Sequence, residues 1–301
     1  MCGISGIMHK RVQTKGLAPI GQELTRMLWS LAHRGMDSTG MTIAGQDSKE
    51  DFIFRLWTEK EIDVLGPVID KIEANGGEIK TKSQHDQYIR LTINYEGDIK
   101  PIAETLYNTP GVQIHSIGRV SEIVKDLGTA KDVDKIHNLD TMEGSHGIGH
   151  VRLATESRVD ITHSHPFWAY PFPDISVVHN GQLTNYHKMK GHYEMMGHRF
   201  QTQNDSELIA VYLAEKLSKG ESLDQALRNS LDDLDGTFTY LVSTDNGIGY
   251  AKDRWSAKPL VIMETDEVVA MASEEIALRS VFSEELDRIE PQENEVNTWL
   301  I

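Results

Sequence analysis

Cysteine is all but missing: Cys2 is the only one in 301 residues. No disulfide can form within the chain, so nothing marks an oxidising compartment. A cysteine-ligated iron–sulfur cluster, which takes about four thiolates, finds no ligand set here. Long apolar runs are missing as well. No stretch reaches the roughly 18 apolar residues of a membrane span, and the N-terminus lacks the apolar core of a secretory signal. Positive charge is short: 30 Lys and Arg stand against 46 Asp and Glu, a net charge of -16. That balance argues against nucleic acid and against anionic membrane surfaces as partners. There is no G-x-G-x-x-G turn after a strand and no GxxxxGK[ST] phosphate loop, so any redox or ATP chemistry belongs on another chain. With 39% hydrophobic and 25% charged residues, the composition is that of a soluble globular protein. The expectation is a cytoplasmic chain, large enough for one big domain or two modest ones.

What is present begins at the first seven residues, MCGISGI. A small residue in second place allows the initiator methionine to be trimmed. Cys2 would then carry a thiol and a free α-amino group on one residue. The thiol titrates near ~8.5 and the amine near ~7.7–8.0, so the amine can take the thiol's proton close to neutral pH.

Residues 3–8 read as a short buried strand. Leu24, Met27, Leu28 and Leu31 fall on one helical stripe over 20–32. HRGMDSTG (33–40) reads as a loop into a strand from Met41 to Ala44. On spacing alone, Arg34 is a surface arginine near a helix C-terminus, where cations are favourable. Residues 47–145 have another texture. Strands at 52–57, 87–95 and 112–119 and helices at 61–75 and 99–108 suggest an inserted α/β region, architectural or docking. Ile62, Leu65, Val68, Ile69 and Ile72 would share one side of the first of those helices.

The second half returns to short patterned elements. GIGHVRLAT (147–155) reads as a strand, followed by a Pro- and aromatic-rich loop over 155–174. Ordered loops of that length are disproportionately functional. ISVVHNG (175–181) reads as a strand ending in Asn-Gly. Helices follow at 184–197, 206–218 and 223–234, the last with a Ser222/Gln225 capping box. Hairpins are expected around Asp245-Asn246-Gly247 and over 259–273, then a helix at 274–282. Strand pairs, helix pairs and strand pairs suggest two stacked sheets between helix layers.

Acyl transfer at an amide needs a nucleophile, a base and donors for the oxyanion. Cys2 supplies the first two. The Asn180 side-chain amide and the Gly181 N–H could supply the third, although Asn-Gly is also the commonest kind of tight turn. Arg152 sits among apolar strand residues and needs a partner, either an internal carboxylate or a substrate carboxylate clamped bidentately. Asp205 reads equally as a helix cap or an amine binder. His163-Ser164-His165 invites a metal reading, but no third ligand of suitable spacing follows, and no metal is expected.

Five stretches, MCGISGI, HRGMDSTG, GHVRLAT, VHNGQLTNY and NDSE, stand in the order seen in class II glutamine amidotransferases, which are N-terminal-nucleophile hydrolases. The chain resembles that family over roughly 1–45 and 146–275. The resemblance implies an α+β, four-layer αββα fold spanning 1–301, with 47–145 inserted. It implies that Cys2 attacks the side-chain amide of glutamine and that Asn180 and Gly181 form the oxyanion hole. It gives Arg152 to the substrate α-carboxylate and Asp205 to its α-ammonium. Arg34 and Gly35 would shape the nucleophile's surroundings. Leu153 stands where many members carry Trp or Tyr. The run ATESRVDITHSHPF before VHNGQLTNY is similar to stand-alone amidotransferase subunits of glutamate-synthase-like complexes, including the small subunit of N-methylglutamate synthase. That finer likeness implies a heteromeric complex whose partner subunits carry FMN and iron–sulfur centres, with no cofactor on this chain. Ammonia would pass to the partner. The alternatives are action with methylamine and glutamate in N-methylglutamate synthesis, a self-contained amidase, or a non-catalytic subunit on the same fold.

Overall fold

The structure, a computed structural model, describes residues 2–45, 51–59, 63–154, 159–283 and 287–301. In chain order, β1 (Gly3–His9) leads through the single-turn α1 (Val12–Lys15) to α2 (Ile20–Ser30) and β2 (Ser38–Ala44). Then come β3 (Asp51–Thr58), α3 (Leu65–Ala74), β4 (Glu78–His85), β5 (Tyr88–Asn94), α4 (Lys100–Tyr107) and β6 (Val112–Gly118). β7 (Ser121–Leu127), α5 (Ala130–His137) and β8 (His146–Arg152) follow, then a loop holding the two-residue β9 (Phe167–Trp168). β10 (Ser176–Leu183) precedes α6 (Tyr186–Met195), α7 (Asp205–Ser218) and α8 (Leu223–Asp233). β11 (Gly236–Ser243), β12 (Gly247–Lys252), β13 (Val261–Glu264), β14 (Val268–Ala272), α9 (Glu275–Arg279) and β15 (Glu295–Leu300) complete the chain.

The strands form a six-stranded sheet, β13-β14-β1-β8-β2-β7, and a five-stranded sheet, β15-β12-β11-β10-β9, with antiparallel pairing throughout. The period of two sends alternate side chains to opposite faces. Ile4 and Met8 of β1 and Ile148 of β8 therefore meet Val178, Leu241, Ile248 and Tyr250 of the second sheet in a dry layer between the sheets. Ile7 and Val151 face the other way, onto Leu24, Met27 and Leu28 of α2. Gly147 and Gly149 on β8 allow that helix to lie close. A Cβ on either would come within 2.8 Å of Leu24 or Leu28 side-chain carbons. On the far side, α7 is buried around its whole circumference from Ser206 to Glu215, sandwiched between the second sheet and α8. A helix apolar on all sides belongs in such a place. The result is the four-layer αββα arrangement of the N-terminal-nucleophile hydrolases.

A third sheet, β4-β5-β3-β6, packs α3 and α4 over its own apolar cluster. It covers 51–118 and is the inserted region. Its limits are narrower than the 47–145 expected from texture, because β7 pairs with β2 in the six-stranded sheet and α5 joins that sheet's helix layer. Glu122 and Lys125, both buried, interrupt the apolar alternation of β7 and hide it in the sequence. β4, exposed at nearly every position, and the edge strand β15, which puts only Val296 into a core cluster and Trp299 against another, were likewise not expected. β2 begins at Ser38, inside the expected loop. The helices expected at 61–75 and 274–282 are shorter, and Ile62 lies outside the described residues. Ser222 caps α8 by accepting from Gln225 N, while the reciprocal capping box is found at Thr129/Asp132 before α5.

The inserted sheet is fastened to the main one by charge. Glu122 on β7, 2% exposed, receives Arg55 Nε of β3 at 2.6 Å and Arg90 Nε of β5 at 2.9 Å. Burial alone would raise its pKa, yet the two guanidiniums hold it at about 2. Glu122→Gln would leave both arginines without their acid. The expected loss is about 3–5 kcal/mol in a urea titration at pH 7. Because the folded-state pKa lies below the ordinary value, this contribution is present above about pH 4.5 and is lost as pH falls toward 2. The gap between wild type and variant should close over that window.

Candidate active site

Cys2 directly precedes β1. Its Sγ accepts from Leu153 N at 3.4 Å and lies 3.7 Å from the Leu153 carbonyl. Its own carbonyl accepts twice, from Arg34 Nε at 2.9 Å and from Asn180 Nδ2 at 3.1 Å. The residue bearing the thiol is thus pinned from the turn after α2 and from the second sheet.

Asn180 and Gly181 do not end a strand, nor do they form a tight turn. They lie inside β10, which runs on to Leu183. Asn180 faces the sandwich interior, where its amide also reaches Ser273 Oγ at 3.3 Å. Gly181 pairs opposite Phe238. Phe238 spends its N–H on Asp253 Oδ2 and its carbonyl on Asp253 N. Antiparallel pairs alternate in bonding, so the Gly181 N–H turns away from β11 and toward the cavity. Gly181 has φ +144, and a Cβ there would meet Thr237 O at 2.1 Å. Only glycine fits.

Asp205 is the first residue of α7. Asn204 is the N-cap, its side chain accepting from Ser206 N, so the Asp205 carboxylate is left for other work. Its Oδ2 accepts from Leu183 N at 2.9 Å, and its Oδ1 lies 3.5 Å from His179 Nδ1. Burial works against the charge, but the His179 ring and the backbone donors hold the carboxyl below its usual range. Behind it, Ser206 Oγ lies 3.0 Å from His179 Nδ1 and 2.8 Å from His165 Nε2. His165 stacks on His150 with ring centroids 4.0 Å apart. Burial depresses both imidazoles, His150 to about 3, so they pack as neutral rings. The HSH motif does not converge: the His163 ring bonds Asp160 at 2.6 Å, while His165 turns to Ser206. Buried Lys125 holds this loop in place, donating to Ser164 O at 2.8 Å and Pro166 O at 3.3 Å.

Arg34 is not a surface arginine. It is 8% exposed, and its NH1 pairs with Glu274 Oε1 at 2.5 Å. His33 reaches the same carboxylate at 2.9 Å. Despite its partial burial, these hydrogen bonds lower the Glu274 pKa. Gly35 abuts the backbone that touches the thiol: a Cβ would lie 2.4 Å from Arg152 C and 2.7 Å from Leu153 N. Arg152 itself is 4% exposed, on the sandwich side of β8.

A cavity of about 280 Å³ collects Cys2, Arg34, Leu153, His165, His179, Asn180, Gly181, Asn204, Asp205, Ser206 and Lys258. Of the expected site residues, it brings Cys2, Arg34, Asn180, Gly181 and Asp205 to one wall. Gly35 and Arg152 stand just behind that wall. Sequence reasoning missed Lys258 and Glu274, which no motif marks, and the roles of His165, His179 and Ser206. Ser206 lies inside the NDSE stretch and His179 inside VHNG, so those two signals were present but unread. A nucleophile, a cavity-facing N–H beside a side-chain amide, and an ionised carboxylate within one small hollow suit attack on the amide of a substrate bearing an ammonium group.

The comparisons agree. A family model described as a glutamine amidotransferase domain matches residues 150–280. A putative glutamine amidotransferase of Methanothermobacter thermautotrophicus is 38% identical over 97% of this chain and 98% of its own length. The glutamine amidotransferase-like protein GlxB of Rhizobium meliloti is 37% identical over 99% and 98%. Among solved structures, the glutamine phosphoribosylpyrophosphate amidotransferase of B. subtilis shares the fold, with a TM-score of 0.61 at 22% identity, over 99% of this chain and 47% of that one. The chain spans about half the length of that enzyme. Fold and site define a class II, N-terminal-nucleophile enzyme, and the chain belongs to the glutamine amidotransferase family.

Two substitutions probe the geometry. Asn180→Ala should lower kcat on glutamine by ~100–1000-fold, the usual effect of removing one oxyanion donor. Gly35→Ala should push back the Leu153 backbone and cut activity while Tm moves by only a few degrees, as read by calorimetry beside the assay.

Proposed function

We propose that the chain is the glutaminase subunit of a glutamate-synthase-like complex. The observation that supports it is the convergence of Cys2, Asn180, Gly181 and Asp205 on one cavity. With Met1 removed, the α-amine of Cys2 takes the thiol proton, and the thiolate attacks the side-chain amide carbon of glutamine. The oxyanion is met by the Gly181 N–H and by the Asn180 amide, which shifts from the Cys2 carbonyl. As the C–N bond breaks, the amine returns its proton to the leaving nitrogen, and ammonia departs. Water then attacks the γ-glutamyl thioester and releases glutamate and the thiol. Asp205 holds the substrate's ammonium. Arg34 acts indirectly, fixing the Cys2 carbonyl against Glu274.

The ammonia passes to a partner synthase subunit in a hetero-oligomer. That subunit carries the FMN and iron–sulfur centres, for which this chain has no thiolates beyond Cys2. The inserted region offers the partner a docking face, with β4 as an exposed edge. The acceptor, 2-oxoglutarate or a methylamine-derived pathway, is set by the partner.

Cys2→Ala should bring glutamate release to background while far-UV dichroism and co-purification of the partner are unchanged. Residual glutaminase activity in that variant would exclude the mechanism. In wild type, kcat/KM should fall as pH drops below about 8, because the α-amine must be neutral to act as base.

A further inference from the structure

We infer that the hollow where the inserted sheet meets β7 is a second binding site, in which Arg55 and Arg90 together receive the oxyanion end of a small metabolite, a phosphate or a carboxylate. This cavity of about 430 Å³ is lined by Arg55, Arg90, Glu122, His137 and Glu143, with Met142 adding apolar surface. It shares no lining residue with the cavity beside Cys2. Its volume falls in the usual range for small-molecule sites, about 300–1,000 Å³. The inference stands apart from the glutaminase reading.

The strand pairing sets a problem that an anion would solve. Arg55 on β3 and Arg90 on β5 stand directly opposite each other in the ladder, and like charges in that position repel. A guanidinium does not give up its proton in a protein, so both charges persist. One buried carboxylate, Glu122, lies between them. It takes Arg55 Nε at 2.6 Å, Arg90 Nε at 2.9 Å and Arg90 Nη2 at 3.3 Å. One negative charge against two positive ones leaves a cation in excess, and the Arg55 and Arg90 side chains are only 18% and 29% exposed. Charge drawn out of water without a counter-charge is unfavourable. His137 does not supply one, since its Nε2 is on Asp126 at 3.1 Å. Glu143 is exposed at the rim and joins no ion pair among the described residues.

The unspent donors open on the hollow. Among the described residues, Arg55 uses Nε alone and Arg90 uses Nε and Nη2. Both Nη groups of Arg55 and Nη1 of Arg90 therefore have no acceptor in the protein. None of these nitrogens is sealed from solvent, and the cavity is the solvent space that both side chains line. The Nη edge of a guanidinium is a planar fork that matches two oxygens of a carboxylate or a phosphate. The ladder also breaks at this point. Ser116 of β6 opposes Arg55 and Ile114 opposes Leu56, so His115 is an extra residue between them. Bulges re-aim side chains and recur beside functional sites. A scattered surface arginine would carry no such meaning. Here two are fixed by a common carboxylate and turned to one cavity, on a chain whose net charge is -16, and donors fixed in advance cost little to order around a ligand.

The test is isothermal titration of the full chain with sodium phosphate and, separately, with sodium succinate, at fixed ionic strength in a buffer free of other oxyanions. At least one probe should bind saturably in the millimolar range, and the tighter of the two identifies the anionic group as phosphate or carboxylate. Arg90→Lys keeps a cation on Glu122 but removes the fork. It should weaken binding by about 10-fold or more, the effect of losing a hydrogen bond to a charged group. Glu143→Gln removes the negative charge at the rim and should tighten binding by about 1.5–5-fold, the range for an exposed charge pair. Glu143 is exposed and makes no ion pair among the described residues, so that variant carries the test even where Arg90→Lys fails to fold. Affinity unchanged in both variants would put the anion elsewhere and overturn the inference. So would the absence of saturable binding by either probe up to about 50 mM.

Discussion

The double hydrogen bond to the Cys2 carbonyl is the interaction on which the rest of the site depends. Cys2 stands ahead of the first strand rather than within it, so its position must be fixed by hydrogen bonds from elsewhere. Arg34 Nε supplies one donor from the turn after α2, and Asn180 Nδ2 supplies the other from the second sheet. Each donor is itself constrained. Arg34 is tied to Glu274 at the start of α9, and Asn180 to Ser273 one residue earlier. Ser273 in turn receives Ile4 N of β1 on its hydroxyl, and its own N–H bonds the Ile4 carbonyl. The circuit closes on the first strand, and the thiol sits at its centre. Preorganisation of this kind spares the reaction the cost of orienting the nucleophile.

A second chain of contacts links the inserted region to the substrate end. Ile114 and Gln201 exchange backbone-to-amide hydrogen bonds, and Glu207 gathers Gln201 N, Thr202 N and Thr202 Oγ1. Glu207 stands two residues beyond Asp205 on α7. Trp168 and Tyr170 of the active-site loop are buried in the cluster beneath the inserted sheet. The Arg55–Glu122–Arg90 clasp fixes that sheet to β7, and Lys125, three residues further along β7, holds the loop bearing His165. The inserted sheet and the catalytic loop thus share one strand of the sandwich. The inserted sheet thus has a contiguous run of contacts to Asp205.

Much of this was legible in the residues. The αββα layering followed from the succession of strand pairs and helix pairs, and the helical stripe of 20–32 found its burial against the first sheet. The five ordered motifs marked Cys2, Arg34, Asn180, Gly181 and Asp205, and the structure gathers them. What was not legible has physical causes. β7 carries buried Glu122 and Lys125, whose charges are satisfied by residues distant in sequence, so its pattern reads as polar. β4 is exposed at nearly every position and β15 is an edge strand with only Val296 in a core cluster, so neither shows an apolar alternation that would betray it. Arg34 looks like a dipole-favoured surface cation until Glu274, 240 positions away, is brought against it. Lys258 belongs to no motif, and a hydrogen bond from Thr239 to its carbonyl, across 19 positions, ties it there. The histidines of HSH read as ligands by type but diverge in space, because the loop turns each ring to a different partner.

The most direct test is the intact mass of the protein purified with its native partners, taken before and after exposure to a diazo-ketone analogue of glutamine. The account predicts a chain lacking Met1 that gains a single adduct, located on Cys2 by peptide mapping. A chain that retains Met1, or a processed chain that takes up no adduct, would contradict it.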